Sequence, residues 1–437
     1  MLFEKLNIQS PKQTRSTRVG WDAFFPYYAG YPVSFASALI SSARLPADAL
    51  VFDPWNGSGT TTQVASKLGF RAIGCDINPV MIVVSRARCL SPTDGDSIGP
   101  IAVKISERAL ESKQIVPDGD PLLGWFSVSS VESIRCVESA IREHLLGAWT
   151  LRPDGTHFEC MSSLAATFYV ALFLTCRSLV SSFQSSNPTW LRKRKAGERQ
   201  IAPKRRTIVA AFRKCLDAMA GQLVAGRTET ALALGESGTI DIRLADSTGP
   251  ALPEVSVDFV LTSPPYCTRI DYTAATRIEL AIIAPLLNTS PTELSRKMIG
   301  STRVPVGDIA PNPLWGRTCN QFLKAVKSHK SKASSGYYLK THLDYFEKLS
   351  RSMDRITAIM KPGAQAILVV QDSYYKDVHN DLPTIVSEMA TLSGLSFLGS
   401  KEFRFARSMS GVNPYTRIYR RRPGAVETVL CFERGRA

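Results

Sequence analysis

Val51-Phe52-Asp53-Pro54-Trp55-Asn56-Gly57-Ser58-Gly59-Thr60-Thr61-Thr62 reads as the end of a buried strand, a glycine turn and the start of a helix. Gly57 and Gly59 permit positive φ and close backbone approach, and Ser58 or Thr60 is placed to cap the helix that follows. About 20 residues after the turn, Ala72-Ile73-Gly74-Cys75-Asp76-Ile77-Asn78 reads as a second strand that closes on an acidic residue. A glycine turn between two strands, the second ending in a carboxylate, is the βαβ layout that holds a nucleoside, the carboxylate accepting from ribose hydroxyls. Two features set it apart from a dinucleotide site. Gly57-x-Gly59 lacks the third glycine of that fingerprint, and no Gly-Lys-Ser/Thr phosphate loop occurs in the chain.

Further along, the apolar run Val257-Asp258-Phe259-Val260-Leu261 leads into Thr262-Ser263-Pro264-Pro265-Tyr266. Consecutive prolines fix φ and remove two backbone donors, so the carbonyls ahead of them face outward without an N–H partner. The carboxyl end of a strand is where open α/β sheets hold ligands. Acceptors there suit an exocyclic amino group, and the Tyr266 ring suits the heterocycle that carries it. Alone, a Pro-Pro-Tyr is as readily a turn leaving a strand; the nucleoside layout upstream favours the functional reading.

Taken together, Asp53-Pro54-Trp55-Asn56-Gly57-Ser58-Gly59-Thr60-Thr61 and Thr262-Ser263-Pro264-Pro265-Tyr266 resemble the S-adenosylmethionine-dependent DNA amino-methyltransferases, which modify cytosine at N4 or adenine at N6. The resemblance implies an α/β fold: a doubly wound, Rossmann-like methyltransferase sheet, here with a large helical insertion. It implies S-adenosyl-L-methionine as cofactor, held by Tyr27, Asp53, Pro54, Gly57, Ser58, Gly59, Thr60, Asp76, Ile77 and Asp246. Phe25-Pro26-Tyr27-Tyr28-Ala29-Gly30-Tyr31-Pro32, leading into Phe35 to Ile40, is similar to the family segment that closes over the methionine end of the cofactor. Gly30 stands where a lysine is common. Ile242 to Ser247 is similar to the strand whose acidic end, here Asp246, receives the adenine amino group, although by spacing alone Asp246 could equally just terminate a strand. Lys361-Pro362-Gly363 with Ala366 to Val370, and Glu427 to Phe432, look like later sheet strands.

On this resemblance the catalytic residues are Ser263, Pro264, Pro265 and Tyr266. An aromatic amino nitrogen is a poor nucleophile because its lone pair is delocalised into the ring. Acceptors on both N–H groups, the Ser263 hydroxyl oxygen and the Pro264 carbonyl, favour a pyramidal nitrogen, while Tyr266 stacks on the base. Asp271-Tyr272 follows closely enough to line the pocket, or to serve the core or a helix cap. Alignment supplies most of the acceleration, no metal is needed, and a duplex base must be flipped out at a cost of about a few kcal/mol. Serine at the first motif position leans toward cytosine N4, aspartate or asparagine toward adenine N6. Carbon-5 cytosine methylation is disfavoured, because it needs a thiolate, usually in Pro-Cys, and no Pro-Cys occurs. RNA and protein-amide methyltransferases usually carry Asn/Asp-Pro-Pro-Tyr without the Gly-Ser-Gly-Thr-Thr run. A non-catalytic DNA-binding module on the same fold is the remaining alternative.

Composition agrees. A formal charge of +15 over 437 residues points to a polyanionic partner, and the resemblance makes that partner double-stranded DNA. Between Leu191 and Arg206 stand eight basic residues and one acid, Glu198. Arg192, Lys193, Arg194, Lys195, Lys204, Arg205 and Arg206, with Arg420 near the C-terminus, are the candidate phosphate contacts, which would set affinity and salt dependence rather than sequence choice. Lys324, Lys327, Lys330 and Lys332 with His329 form a second patch, and Arg417 and Arg420 to Arg422 beside Tyr415 and Tyr419 a third. Nine cysteines without a Cys-x-x-Cys pair argue against zinc and for a reducing compartment. The 13-residue apolar run Leu164 to Cys176 is too short to span a bilayer, and no signal-peptide pattern opens the sequence. A cytoplasmic protein without membrane association is expected.

The expected organisation is a basic N-terminal arm (1–19), a cofactor-binding half (20–90), a helical insertion for target recognition or DNA clamping (91–235), a catalytic half (236–283), a loop-rich second insertion (284–339) and the C-terminal part of the sheet (340–437). The large insertion precedes the Asp246 strand, whereas in the familiar layout with a central recognition domain it follows that strand. Subclass, recognition sequence and oligomeric state are not written in the chain, nor is a cognate restriction or defence partner.

Overall fold

Val51 and Phe52, Phe259 and Val260, and Ile367 and Leu368 are neighbours in sequence, and all six are buried. Successive side chains of a strand point to opposite faces, so these strands are covered on both sides. The computed structural model of the chain describes residues 3–13, 24–25, 30–147, 156–184, 190–225, 237–249, 252–253, 255–267, 272–303, 309–405 and 425–435. In chain order, the N-terminal part forms α1 (Val33–Ser42), β1 (Leu50–Asp53), α2 (Thr60–Lys67), β2 (Arg71–Asp76) and α3 (Pro79–Arg88). Four longer helices follow: α4 (Gly95–Glu111), α5 (Val128–Leu145), α6 (Ser163–Leu179) and α7 (Arg205–Ala225). Then come β3 (Ile240–Leu244), β4 (Val257–Thr262), α8 (Tyr272–Ala275), α9 (Arg277–Ile282), α10 (Pro291–Lys297), α11 (Arg317–Ser328) and α12 (Leu339–Ile359). The C-terminal part is β5 (Met360–Gln371), β6 (Ser373–Tyr375), β7 (Val378–Asn380), α13 (Leu382–Leu392), β8 (Leu395–Phe405) and β9 (Ala425–Arg434).

Seven strands form one sheet in the order β3-β2-β1-β4-β5-β9-β8. β1 to β5 are parallel, and β9 runs antiparallel between β5 and β8. The chain leaves β1 toward β2 and β3, then returns to the other side of β1 as β4. That reversal opens a crevice at the carboxyl ends of β1 and β4, the place where such sheets bind ligands. The α1 and α2 layer covers Val51, Phe259, Leu261, Ile367 and Val369. The opposite layer, α11, α12 and α13, covers Phe52, Val260, Ala366, Leu368 and Val370.

The helices α4 to α7 do not stand apart from the sheet. Phe126, Tyr169 and Phe212 belong to one core with Val83 of α3 and Ile282 of α9. Two arginines fasten this union. Arg135 of α5 makes a buried pair with Asp120 at 2.8 Å and donates to the Ala281 and Ile282 carbonyls at 2.8 and 2.7 Å. Arg177 of α6 pairs with buried Glu279 at 2.6 Å and donates to the Ala275 carbonyl at 2.9 Å. The insertion therefore grips the helix pair that immediately follows the Ser263–Tyr266 motif.

Two expectations are corrected. Neither Ser58 nor Thr60 caps α2: its N-cap is Gly59, at φ 83°, with no side-chain cap. A left-handed residue there turns the chain directly into the helix, and a Cβ on it would meet the Ser85 Cβ at 2.9 Å. The 284–339 stretch is less loop-rich than expected. It holds α10 and α11, the latter burying Cys319, Phe322, Leu323 and Val326 at helical spacing against the sheet's second layer. The C-terminal part also holds an unforeseen strand, β8, paired along its length with β9. Among the described residues, no helix is long and apolar enough to cross a membrane.

Candidate active site

Asp53 closes β1, 3% exposed, with both carboxylate oxygens engaged. Oδ1 accepts from the Thr262 hydroxyl at the end of β4 and from the Trp55 amide at 3.1 Å, and Oδ2 accepts from Thr61 Oγ1 at 2.7 Å. Thr61 also lies 3.1 Å from the Leu261 carbonyl, and the Tyr31 hydroxyl reaches both groups. Three consecutive threonines are poor helix formers, and their place at the start of α2 follows from what the hydroxyls bind: Thr62 donates to Asn56 Oδ1 at 3.1 Å. Burial pushes the Asp53 carboxyl up to about 6, against the pull of those hydrogen bonds.

Asp76 closes β2 in the neighbouring position. It accepts from the Gly57 amide at 3.0 Å and the Asn78 amide at 2.8 Å, and burial raises it to about 6 as well. Gly74, directly opposite Asp53 in the β1–β2 register, is dictated by Asn56: a Cβ there would lie 2.4 Å from the Asn56 side chain. Arg88, at the end of α3, holds the turn by donating to the Ser58 carbonyl, Ser58 Oγ and Thr60 Oγ1 at 3.1 to 3.2 Å. Pro54 is buried and lines a small cleft with Phe52, Cys75 and Ser247. Ile77 is half-buried against the core shared with the insertion. Asp246 lies just beyond β3, its Oδ1 accepting from the Thr248 amide at 2.9 Å, while the Ala245 amide donates to the Asp76 carbonyl at 3.1 Å. Tyr27 falls outside the described residues.

The residues present fit S-adenosyl-L-methionine. Two carboxylates with raised proton affinity, Asp53 buried and Asp76 half-buried, sit close together, suited to a cation or to hydroxyl donors. Asn56 Nδ2 and Trp55 Nε1 are buried donors without an acceptor among the described residues, and such donors are costly unless a ligand satisfies them.

The Ser263–Tyr266 motif adjoins this pocket through the Thr262–Asp53 hydrogen bond. Ser263 Oγ donates to the Val369 carbonyl of β5 at 3.0 Å and lies 3.4 Å from the Tyr266 hydroxyl. The Pro265 carbonyl accepts from Tyr345 at 2.7 Å, and the Cys267 carbonyl from Ser373 at 2.9 Å. These two bonds clamp the motif to α12 and to the β6–β7 hairpin. Among the described residues, no donor reaches the Pro264 carbonyl. Burial, reinforced by the nearby Glu427, holds the Tyr266 hydroxyl well above its ordinary range. Burial also pushes Tyr272 up to about 12, opposed by the Tyr266 amide. Asn78 Nδ2 donates to Thr276 Oγ1 at 3.0 Å, joining the loop after Asp76 to the helices after the motif.

Thus the structure brings together Asp53, Gly57, Asp76 and the Ser263–Tyr266 motif. Tyr31, Asn56, Thr61, Arg88, Thr262 and Tyr345 join them without having been foreseen. The run of threonines was the one signal in the sequence that pointed to such a network.

The basic run divides in two. Arg192 pairs with Glu198 at 2.6 Å and lies over the Phe183 ring, and Arg194 donates to the Glu198 carbonyl at 2.7 Å. Arg205 donates to the Ser112 carbonyl at 2.6 Å and pairs with Glu132 at 2.8 Å. These three hold the loop. Lys193, Lys195, Lys204 and Arg206 are exposed, as is Arg199. Lys324 and Lys327 lie on the exposed side of α11, with Lys330 and Lys332 exposed beyond its end. Arg417 and Arg420 to Arg422, with Tyr415, Tyr419 and Asp271, fall outside the described residues.

Residues 2–85 match the N6/N4 family model described as DNA methylase. The matched span takes in the glycine turn, Asp53 and Asp76, and ends before the Ser263–Tyr266 motif. A solved SAM-dependent methyltransferase from Methanosarcina mazei is similar to this chain at 8% identity, with 91% of this chain and 98% of that chain covered and a TM-score of 0.29. No curated protein matches the sequence.

Proposed function

We propose that the chain, whose residues 2–85 match the N6/N4 DNA-methylase model, is an S-adenosyl-L-methionine-dependent amino-methyltransferase that methylates the exocyclic amino group of a flipped base in double-stranded DNA, cytosine N4 ahead of adenine N6. The observation that carries this reading is the state of two acceptors. Ser263 donates its hydroxyl hydrogen bond to the Val369 carbonyl, which leaves its oxygen lone pairs open to an incoming N–H. The Pro264 carbonyl beside it is likewise open among the described residues. A pair of neutral acceptors suits an amino group, one for each hydrogen.

S-adenosyl-L-methionine supplies an electrophilic methyl on a sulfonium. Asp53, Asp76 and the Gly57–Gly59 turn would hold it, with Asn56 and Trp55 offering donors. On the target side, Ser263 and the Pro264 carbonyl orient the amino hydrogens so that the nitrogen lone pair faces the cofactor pocket. Tyr266 offers a ring face to the base, and Tyr345 and Ser373 fix the loop so that this geometry is pre-set. Serine as the first motif residue favours cytosine. The exposed Lys193, Lys195, Lys204 and Arg206 are assigned to DNA phosphates, and the α4–α7 insertion to target recognition or clamping.

Ser263→Ala and Tyr266→Ala test the reading. Transfer of labelled methyl groups into DNA is expected to fall about 10²-fold in each, the scale of losing one pre-set hydrogen-bonding or stacking group. Cofactor affinity by calorimetry should stay as in the parent protein. Undiminished transfer by both variants would overturn it.

A further inference from the structure

We infer that Glu427 takes up the proton that the target amino group sheds on methylation, an assignment that rests on the methyl-transfer reading above. When the amino nitrogen gains a methyl, its lone pair becomes the N–C bond and the nitrogen carries a positive charge. Neutrality returns when one N–H bond breaks, its electron pair staying on nitrogen and the proton leaving. Ser263 and the Pro264 carbonyl accept hydrogen bonds, but a hydroxyl or an amide oxygen is far too weak a base to keep that proton. The motif of this chain contains no carboxylate, and its one ionisable group, Tyr266, is held protonated by burial, so a base that takes the proton within the site comes from elsewhere in the fold.

The carboxylates near the crevice differ in what they already hold. Asp53 accepts from Thr262, Thr61 and Trp55, and Asp76 from Gly57 and Asn78. Asp372 accepts from the Val426 amide and pairs with His379. Glu427 is the exception: its Oε2 is buried and has no hydrogen-bond partner among the described residues. Strand register places it. Thr262 of β4 pairs with Leu368 of β5, and Val369, whose carbonyl holds Ser263, pairs with Val429 of β9. Two residues further toward the carboxyl rim of β5, Gln371 pairs with Glu427. A step of two keeps the side chain on the same face of the sheet, so Glu427 stands one position beyond the Ser263 anchor on the rim, where its charge acts on Tyr266.

Burial pushes the Glu427 carboxyl up to about 7, with Lys12 from the N-terminal segment opposing. Its partners on the flanking strands, Gln371 and Phe403, are uncharged, and Tyr266 faces it from the motif loop. A base that titrates near the working pH is the most effective kind. Ionised, Glu427 accepts the amino proton directly or across one water; the N–H bond breaks as an O–H bond forms, and the proton then passes to solvent.

Glu427→Gln and Glu427→Asp test this at saturating cofactor and DNA. In the parent protein kcat is expected to rise about tenfold per pH unit below pH 7 and level off above it. The glutamine variant is expected to lose about 10²-fold of the plateau and the rising limb with it, and the aspartate variant to restore the limb in part. Infrared difference spectra give a readout independent of turnover: a protonated-carboxyl band lost as pH rises through about 7 in the parent protein and missing in the glutamine variant. Unchanged melting temperature and cofactor affinity would show an intact fold. A glutamine variant with the parent plateau and pH profile overturns the assignment while leaving the methyltransferase reading in place. A parent protein that transfers no methyl group to DNA overturns both.

Discussion

Asp53 and Asp76 govern how pH acts on the cofactor pocket. A carboxyl whose folded value is raised from the ordinary range of about 4 to about 6 binds its proton more tightly in the folded chain than in the unfolded one. The sign follows. Each group contributes its most favourable share of stability below about pH 4, and that share is lost as pH rises through about 6. Cofactor binding runs the opposite way, because a ligand that donates hydroxyls or brings positive charge prefers the ionised carboxylates. Calorimetric affinity for S-adenosyl-L-methionine should therefore be level above about pH 7 and fall below pH 6 by about tenfold per unit for each carboxyl involved. A flat affinity between pH 5 and 7 would remove these two residues from the cofactor site. In the sequence, both acids were readable as strand ends beside a glycine turn. What they hold was not, since Thr61, Thr262 and Tyr31 converge only in space.

At the scale of elements, the glycine turn, β1, β2 and β4 were legible because short continuous apolar runs and a glycine turn are local signals. β8 was not. Leu395–Phe405 is a largely exposed edge strand, with Lys401, Glu402 and Arg404 along it, so it lacks apolar alternation and carries the charges that keep an edge from pairing with other chains. α11 was hidden for another reason. Its Ser- and Lys-rich surroundings masked the spacing of Cys319, Phe322, Leu323 and Val326. The docking of the insertion was beyond any local signal, since Arg135 and Arg177 meet partners more than a hundred residues away. Arg135→Ala leaves Asp120 buried without its cation and the Ala281 and Ile282 carbonyls without their donor. It is expected to cost about 3–5 kcal/mol, read as a shift of the denaturant midpoint. An unchanged midpoint would mean that the insertion is held by its apolar core alone.

For the whole molecule, net charge named a polyanion but not the surface that meets it. Of the basic run, Arg192, Arg194 and Arg205 are used inside the protein, while Lys193, Lys195, Lys204 and Arg206 remain exposed. Replacing any one of the exposed four by alanine should lower the salt slope of DNA binding by about one. Arg192→Ala and Arg205→Ala should instead loosen the loop. A slope unchanged by all four exposed substitutions would move the DNA to another face. The central claim, amino-methylation of DNA, is tested most directly by one measurement: incubation with labelled S-adenosyl-L-methionine and unmethylated bacterial duplex DNA, then mass analysis of the nucleosides. The account predicts N4-methylcytosine. N6-methyladenine would contradict the choice of base, and absence of any methylated nucleoside, with the cofactor bound, would contradict the central claim itself.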